Sequence, residues 1–167
     1  LVDIGRVDEN DILPREQSLL DLIRVACYIK DVEKAVELAD KFHALGYETS
    51  INIMALSHAR EYELTEALAA IAESSADIVY IVDSYGSMDP RDIAYMTEKF
   101  RRALPHKLLG VHTHNNMQLA FANTLTALEG GVTFLDESVY GMGRAAGNCT
   151  TELLLGALKR RRYELRP

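Results

Sequence analysis

Two histidines one residue apart, His112 and His114, close a short apolar run at residues 107–111 and begin the segment His112-Thr-His-Asn-Asn116. On a β-strand, alternate side chains share a face, so both imidazoles project together. In a barrel or an open parallel sheet, the carboxyl ends of the strands are where ligands bind. Two neutral imidazoles side by side at such an end suit one divalent first-row metal ion. Two histidines satisfied by ordinary hydrogen bonds share the same spacing, and the pair alone leaves both readings open.

Other polar residues follow the remaining apolar runs: Tyr28 and Lys30, Asn52 and Met54, Asp83 to Tyr85, Asn115 and Asn116, Asp136 and Ser138, then the loop Gly141-Met-Gly-Arg-Ala-Ala-Gly-Asn148. Oxygen and nitrogen donors of this mix suit Mg2+, Mn2+ or Zn2+. No third histidine or nearby cysteine completes a structural zinc site. Asn148 reads equally as a ligand and as the N-cap of the helix after it. Asp83 reads first as a brace accepting backbone amides of a neighbouring loop, ahead of a metal ligand. The glycine-rich loop either holds an anion or lets its backbone approach the site closely. Arg144 within it either neutralises a carboxylate or is solvated. His43, His58 and His106 lie in or beside helices and read as surface residues.

The elements that must position these groups alternate between strand and helix. An apolar run at 24–28 precedes a segment, 31–42, in which Val32, Ala35, Val36, Ala39 and Phe42 recur at helical spacing, with Asp31 as cap and Gly46 as stop. A strand at 49–54, a helix at 61–74 and a strand at 76–82 follow, the last apolar on both faces. Asp89 and Pro90 open a helix with Ile93, Met96 and Phe100 on one face. After the strand with the histidines come a helix at 117–129, a strand at 132–138 and a helix at 150–162, whose run Lys159-Arg160-Arg161-Arg162 complements the helix dipole. Leu1 to Gly5 reads like the tail of a buried strand, as if the chain opened inside a fold. Units of roughly 25 to 30 residues predict a parallel sheet with helices outside. About six of them make either an open doubly wound sheet or most of an eight-unit TIM barrel, and the opening favours the barrel.

The chain has 167 residues, 48% of them hydrophobic and 26% charged, with a net charge of -7. One domain spanning 1–167 is expected. The acidic balance argues against nucleic acid as a partner. Cys27 and Cys149 make no disulfide framework. Nothing reads as a membrane span or signal peptide, so the expected setting is cytoplasmic.

His112-Thr-His114-Asn-Asn, followed after a helix by Gly141-Met-Gly-Arg-Ala-Ala-Gly-Asn148, closely resembles the DRE-TIM metallolyases. That superfamily includes 4-hydroxy-2-oxovalerate aldolase, HMG-CoA lyase and isopropylmalate synthase. Val82-Asp-Ser-Tyr-Gly86 and Leu119-Ala-Phe-Ala-Asn-Thr-Leu-Thr-Ala127 are similar to the aldolase branch. The resemblance covers nearly the whole chain, as the third to eighth βα units of a partial TIM (β/α)8 barrel. It implies a divalent metal, Mn2+ or Mg2+ ahead of Zn2+, held by His112 and His114 with Asn148 as a further ligand. Asn52, Ser138 and Arg144 are the expected contacts to a small 2-oxo acid, whose enolate the metal stabilises as a Lewis acid when a carbon–carbon bond breaks. HMG-CoA lyases carry a catalytic cysteine in the glycine loop. Here Arg144-Ala-Ala occupies that place and Cys149 lies beyond Asn148, so the resemblance points to an aldolase that cleaves a 4-hydroxy-2-oxo acid to pyruvate and an aldehyde.

One family feature has no match. The first-strand arginine–aspartate pair is absent from residues 1–14; Asp3-Ile-Gly-Arg6 has the residue types but follows what reads as the third strand. The expectation is therefore an amino-terminally truncated barrel that lacks a metal ligand and its main acid–base group, inactive alone. Two alternatives stand beside it: an acetyl-CoA-dependent Claisen-type acyltransferase of the isopropylmalate synthase branch, and a non-catalytic scaffold. A homo-oligomer is expected, since unpaired sheet edges invite self-association.

Overall fold

A computed structural model describes residues 1–160. Six strands form one sheet in chain order, every neighbouring pair parallel: β1 (Val2–Asp3), β2 (Leu22–Tyr28), β3 (Glu48–Met54), β4 (Ile78–Asp83), β5 (Leu108–Thr113) and β6 (Phe134–Asp136). From β2 onward each is followed by a helix: α1 (Val32–Ala44), α2 (Glu61–Glu73), α3 (Pro90–Ala103), α4 (Ala120–Glu129) and α5 (Thr151–Arg160). Between β1 and β2 the chain makes two short 3-10 turns in place of an α-helix.

The two faces of the sheet separate by the period-two rule. Val25, Cys27, Ile51, Ile53, Val79, Ile81, Leu109 and Val111 point outward into one core shared with Leu38 and Phe42 of α1, Leu64, Leu68 and Ile71 of α2, and Ile93 and Phe100 of α3. Their alternates point inward: Ile78, Tyr80 and Val82 pack with Leu22 and Phe134 in a second, interior cluster. This explains why β4 is apolar on both faces.

The sheet is curled. Arg24 on β2 and Asp136 on β6 are four strand positions apart, about 19 Å in a flat sheet. Yet the Arg24 guanidinium donates to both carboxylate oxygens of Asp136, at 3.1 and 2.6 Å. Only a concave interior brings these side chains together, as in a barrel. The fold is thus an α/β partial TIM barrel, not an open doubly wound sheet with helices on both faces.

Several boundaries differ from expectation for local reasons. Asp31 makes no capping bond; it already lies in a 3-10 turn (Ile29–Asp31) rather than on the extended backbone a cap requires. The fourth helix begins at Ala120, not at 117, because Gln118 adopts a positive φ of 56° and Asn115 Oδ1 accepts the Ala120 amide. Asp89 caps α3 as expected, accepting the amides of Arg91 and Asp92. The last helix starts at Thr151, and Arg161 and Arg162 of the basic run lie outside the described residues. No described helix is long and apolar enough to cross a membrane.

Candidate active site

His112 and His114 leave the end of β5 toward the interior, their ring centroids 5.1 Å apart and nearly perpendicular. The glycine loop is sewn to this strand end. His114 and Asn148 form an antiparallel bridge, the Asn115 amide donates to the Gly147 carbonyl at 2.8 Å, and the Cys149 amide donates to Thr113 O at 3.3 Å. Close approach is what the loop glycines allow: a Cβ on Gly143 would lie 2.6 Å from Asn148 Nδ2, and one on Gly147 would lie 2.1 Å from the Gly141 carbonyl. Asn148 does not cap α5, whose first residue is Thr151. Its Nδ2 instead donates to Met142 O at 3.2 Å and to Ser138 Oγ at 3.4 Å.

With Nδ2 so engaged, Asn148 Oδ1 is buried without a hydrogen-bond partner, and so is His114 Nδ1. A buried polar atom left unpaired is costly, and two such atoms on residues joined by a backbone bridge at the strand end suit a cation. Burial, and next the nearby His112 and Arg144, lower the pKa of His114 and favour the neutral imidazole that ligation needs. Two imidazole nitrogens and an amide oxygen fit a divalent ion of the Mg2+, Mn2+ or Zn2+ type. Among the described residues, no three His, Cys, Asp or Glu side chains group to hold one.

The neighbouring carboxylates are occupied. Asp83 is fully buried and accepts the amides of Ser87 and Met88 at 3.1 and 3.2 Å, bracing the β4–α3 loop. Asp136 pairs with His112 in register and lies 3.2 Å from its Nδ1, besides carrying the Arg24 fork. Burial alone would raise Asp136; His112 and the Arg24 guanidinium outweigh it and hold the carboxyl below its usual range. The Arg24 guanidinium lies 4.1 Å from the centre of the Tyr80 ring.

His112, His114, Arg24 and Asp136 line a cavity of about 380 Å3 together with Asn52 and Arg144. Of the expected substrate contacts, Asn52 and Arg144 therefore reach it, Arg144 anchored through Nη2 to the Ser84 carbonyl at 2.9 Å. Ser138 instead faces Asn148. A larger groove of about 620 Å3, lined by Thr65, Leu68, Tyr95 and Lys99, lies between α2 and α3 on the outer surface, away from the strand ends. His43, His58 and His106 are exposed. Burial pushes the Cys149 thiol up, and Cys149 is buried beside α4 and α5 rather than facing the cavity. The sequence pattern does not mark Arg24 and Tyr80 as site residues, and it offers Asp136 only as one of several strand-end oxygen donors. Their signal was phase: Arg24 alternates with Val25 and shares the inward face with Ala26.

The HMGL-like family model matches residues 23–166. The chain is 38% identical over 141 residues to 4-hydroxy-2-oxovalerate aldolase 2 of Nocardia farcinica, covering 83% of this chain and 40% of that protein. It is 35% identical over 164 residues to 4-hydroxy-2-oxovalerate aldolase of Geobacillus thermodenitrificans, covering 96% and 46%. It is 37% identical over 146 residues to oxaloacetate decarboxylase of Mycobacterium tuberculosis, covering 85% and 42%. The chain thus spans less than half the length of these relatives. Among solved structures, HMG-CoA lyase of Bacillus subtilis superposes with a TM-score of 0.78 at 16% identity, covering 87% of this chain and 57% of that one, a likeness of fold. With a family model that spans most of its length and relatives named as aldolases, the chain belongs to the HMGL-like family.

Proposed function

We propose that this chain supplies the metal- and substrate-binding part of a divalent-metal-dependent lyase that cleaves a 4-hydroxy-2-oxo acid to pyruvate and an aldehyde. The observation that carries the reading is that His112 and His114 line one cavity at the strand end, while Asn148, bridged to His114 through the backbone, has its Oδ1 buried without a hydrogen-bond partner. His112, His114 and Asn148 would hold Mn2+ or Mg2+. The ion supplies Lewis-acid stabilisation for the negative charge that develops on the 2-oxo oxygen as the bond breaks.

The chain's own residues bind and orient. Arg144, fixed at the mouth by Ser84, faces the substrate carboxylate, and Asn52 contacts the polar end from β3. Ala26 and Val82 provide apolar wall that keeps water from the reacting carbons. A base takes the proton of the C4 hydroxyl, the C3–C4 bond breaks to release the aldehyde, and a proton delivered to C3 completes pyruvate. Asp83 and Asp136 are both engaged, so neither is free to ligate the ion or to act as this base. We therefore assign the remaining carboxylate ligand and the base to a further barrel segment, and expect residues 1–167 alone, as one domain, to be inactive.

The oxaloacetate decarboxylase relative favours a second reading, loss of CO2 from a 2-oxo diacid, which yields the same enolate of pyruvate. Full-length protein with Mn2+ should release pyruvate from at least one of a panel of 4-hydroxy-2-oxo acids and lose that activity in EDTA. Activity on oxaloacetate alone selects the second reading, and consumption of acetyl-CoA with a 2-oxo acid selects a Claisen-type enzyme. A protein that binds no metal and is inert on the whole panel is a scaffold.

A further inference from the structure

Arg24, Asp136 and His112 come from three strands and meet inside the barrel, and nothing in the reaction above uses the first two. Asp136 Oδ2 lies 2.6 Å from Arg24 Nη2 and 3.2 Å from His112 Nδ1. The second oxygen, Oδ1, accepts Arg24 Nη1 at 3.1 Å. Against the guanidinium stands the Tyr80 ring, and Arg24 Nε is buried without a partner. The arginine is thus held by its two-point fork and by the ring face.

An ionised carboxylate has only lone pairs to offer. The His112 nitrogen facing it must carry a hydrogen, or two acceptors would confront each other. The proton of a neutral imidazole then sits on Nδ1, and the lone pair is left on Nε2. We infer that Asp136, clamped by Arg24, is a positioning residue that sets His112 in the Nδ1–H tautomer and presents Nε2 to the cavity as a ligand. Carboxylate–histidine pairs of this kind fix both ring orientation and tautomer at metal sites. The inference rests on the metal reading proposed above for the use of Nε2, but not for the tautomer itself.

Asp136→Ala tests it by removing the acceptor. With no carboxylate facing Nδ1, nothing holds the proton there, and it is free to move to Nε2, where it blocks ligation. Full-length protein labelled with 15N-histidine, without metal and at about pH 8 where imidazole is neutral, should show His112 protonated at Nδ1. The same spectrum of D136A should show a shift toward protonation at Nε2. Titration with Mn2+, followed by the electron paramagnetic resonance of free Mn2+, should give D136A about 10–100-fold weaker binding. A wild-type Nε2–H tautomer overturns the inference, as does an unchanged tautomer or unchanged Mn2+ affinity in D136A. If D136A does not fold, the wild-type spectrum still decides the tautomer, and unchanged Mn2+ affinity in Arg24→Lys overturns the clamp. Wild-type protein that binds no Mn2+ sinks the metal reading while the spectrum still decides the positioning.

Discussion

Gly110 and Tyr80 are register partners on β5 and β4, and the Tyr80 ring occupies the space a Gly110 side chain would need. A Cβ on Gly110 would fall 2.5 Å from the ring. The bare glycine lets the ring lie across the interior and meet Arg24.

Gly110→Ala should therefore destabilise the fold by about 1–3 kcal/mol through overpacking, measured by urea unfolding. The clash is with a ring, so Tyr80→Leu in the same background should recover part of the loss. A double-mutant cycle showing strict additivity would mean the two residues do not press on each other.

Asp83→Ala strands the Ser87 and Met88 amides and should cost roughly 1–3 kcal/mol. Burial, first, raises the Asp83 carboxyl above its ordinary value of 3.8, against the lowering by the Ser87 and Met88 amides. A carboxyl raised in the folded state keeps its proton after the unfolded chain has released it. Its contribution to stability is thus full below the unfolded value and declines as pH rises through the raised folded value. Asp83→Asn cannot titrate, so the stability of the native protein relative to D83N should fall with rising pH across that window. A difference that grows with pH there contradicts the sign.

Gly143→Ala puts a methyl group 2.6 Å from Asn148 Nδ2 and should turn the amide out of place. Mn2+ affinity should drop about ten-fold or more, with little change in melting temperature because the loop is exposed. Gly156→Ala, where a Cβ meets nothing within 4 Å, is the control and should bind as the native protein does.

The Cys27 thiol is pushed up to about 12, by burial first and by Asp31 second. At pH 8 a group of that pKa is thiolate in only about one molecule in ten thousand. Cys27 should resist a thiol reagent in folded protein and react at the rate of unfolding. Fast labelling under native conditions would place it at the surface.

Much of this architecture was legible along the chain because the signals are local. The spacing of Val32, Ala35, Ala39 and Phe42 defines α1, the pair Asp89 and Pro90 starts α3, and the apolar run ending in His112 and His114 marks β5. Asp83 ends a buried parallel strand, the position of a brace, and it accepts the Ser87 and Met88 amides. Asn148 reads as cap or ligand alike because it stands only two residues before Thr150, which directly precedes α5.

What the amino-acid order determined by itself was the alternation of strand and helix and the pairing of the two histidines, since period and capping act over a few residues. The tertiary structure alone decided that Arg24 meets Asp136, that Tyr80 backs the arginine, and that Asn148 bridges to His114 through the backbone with its side-chain oxygen buried and unpaired. Those contacts depend on the curl of the sheet, which joins residues 112 positions apart in the case of Arg24 and Asp136. No spacing within one strand encodes that curvature; it arises when all six strands twist together over a shared core.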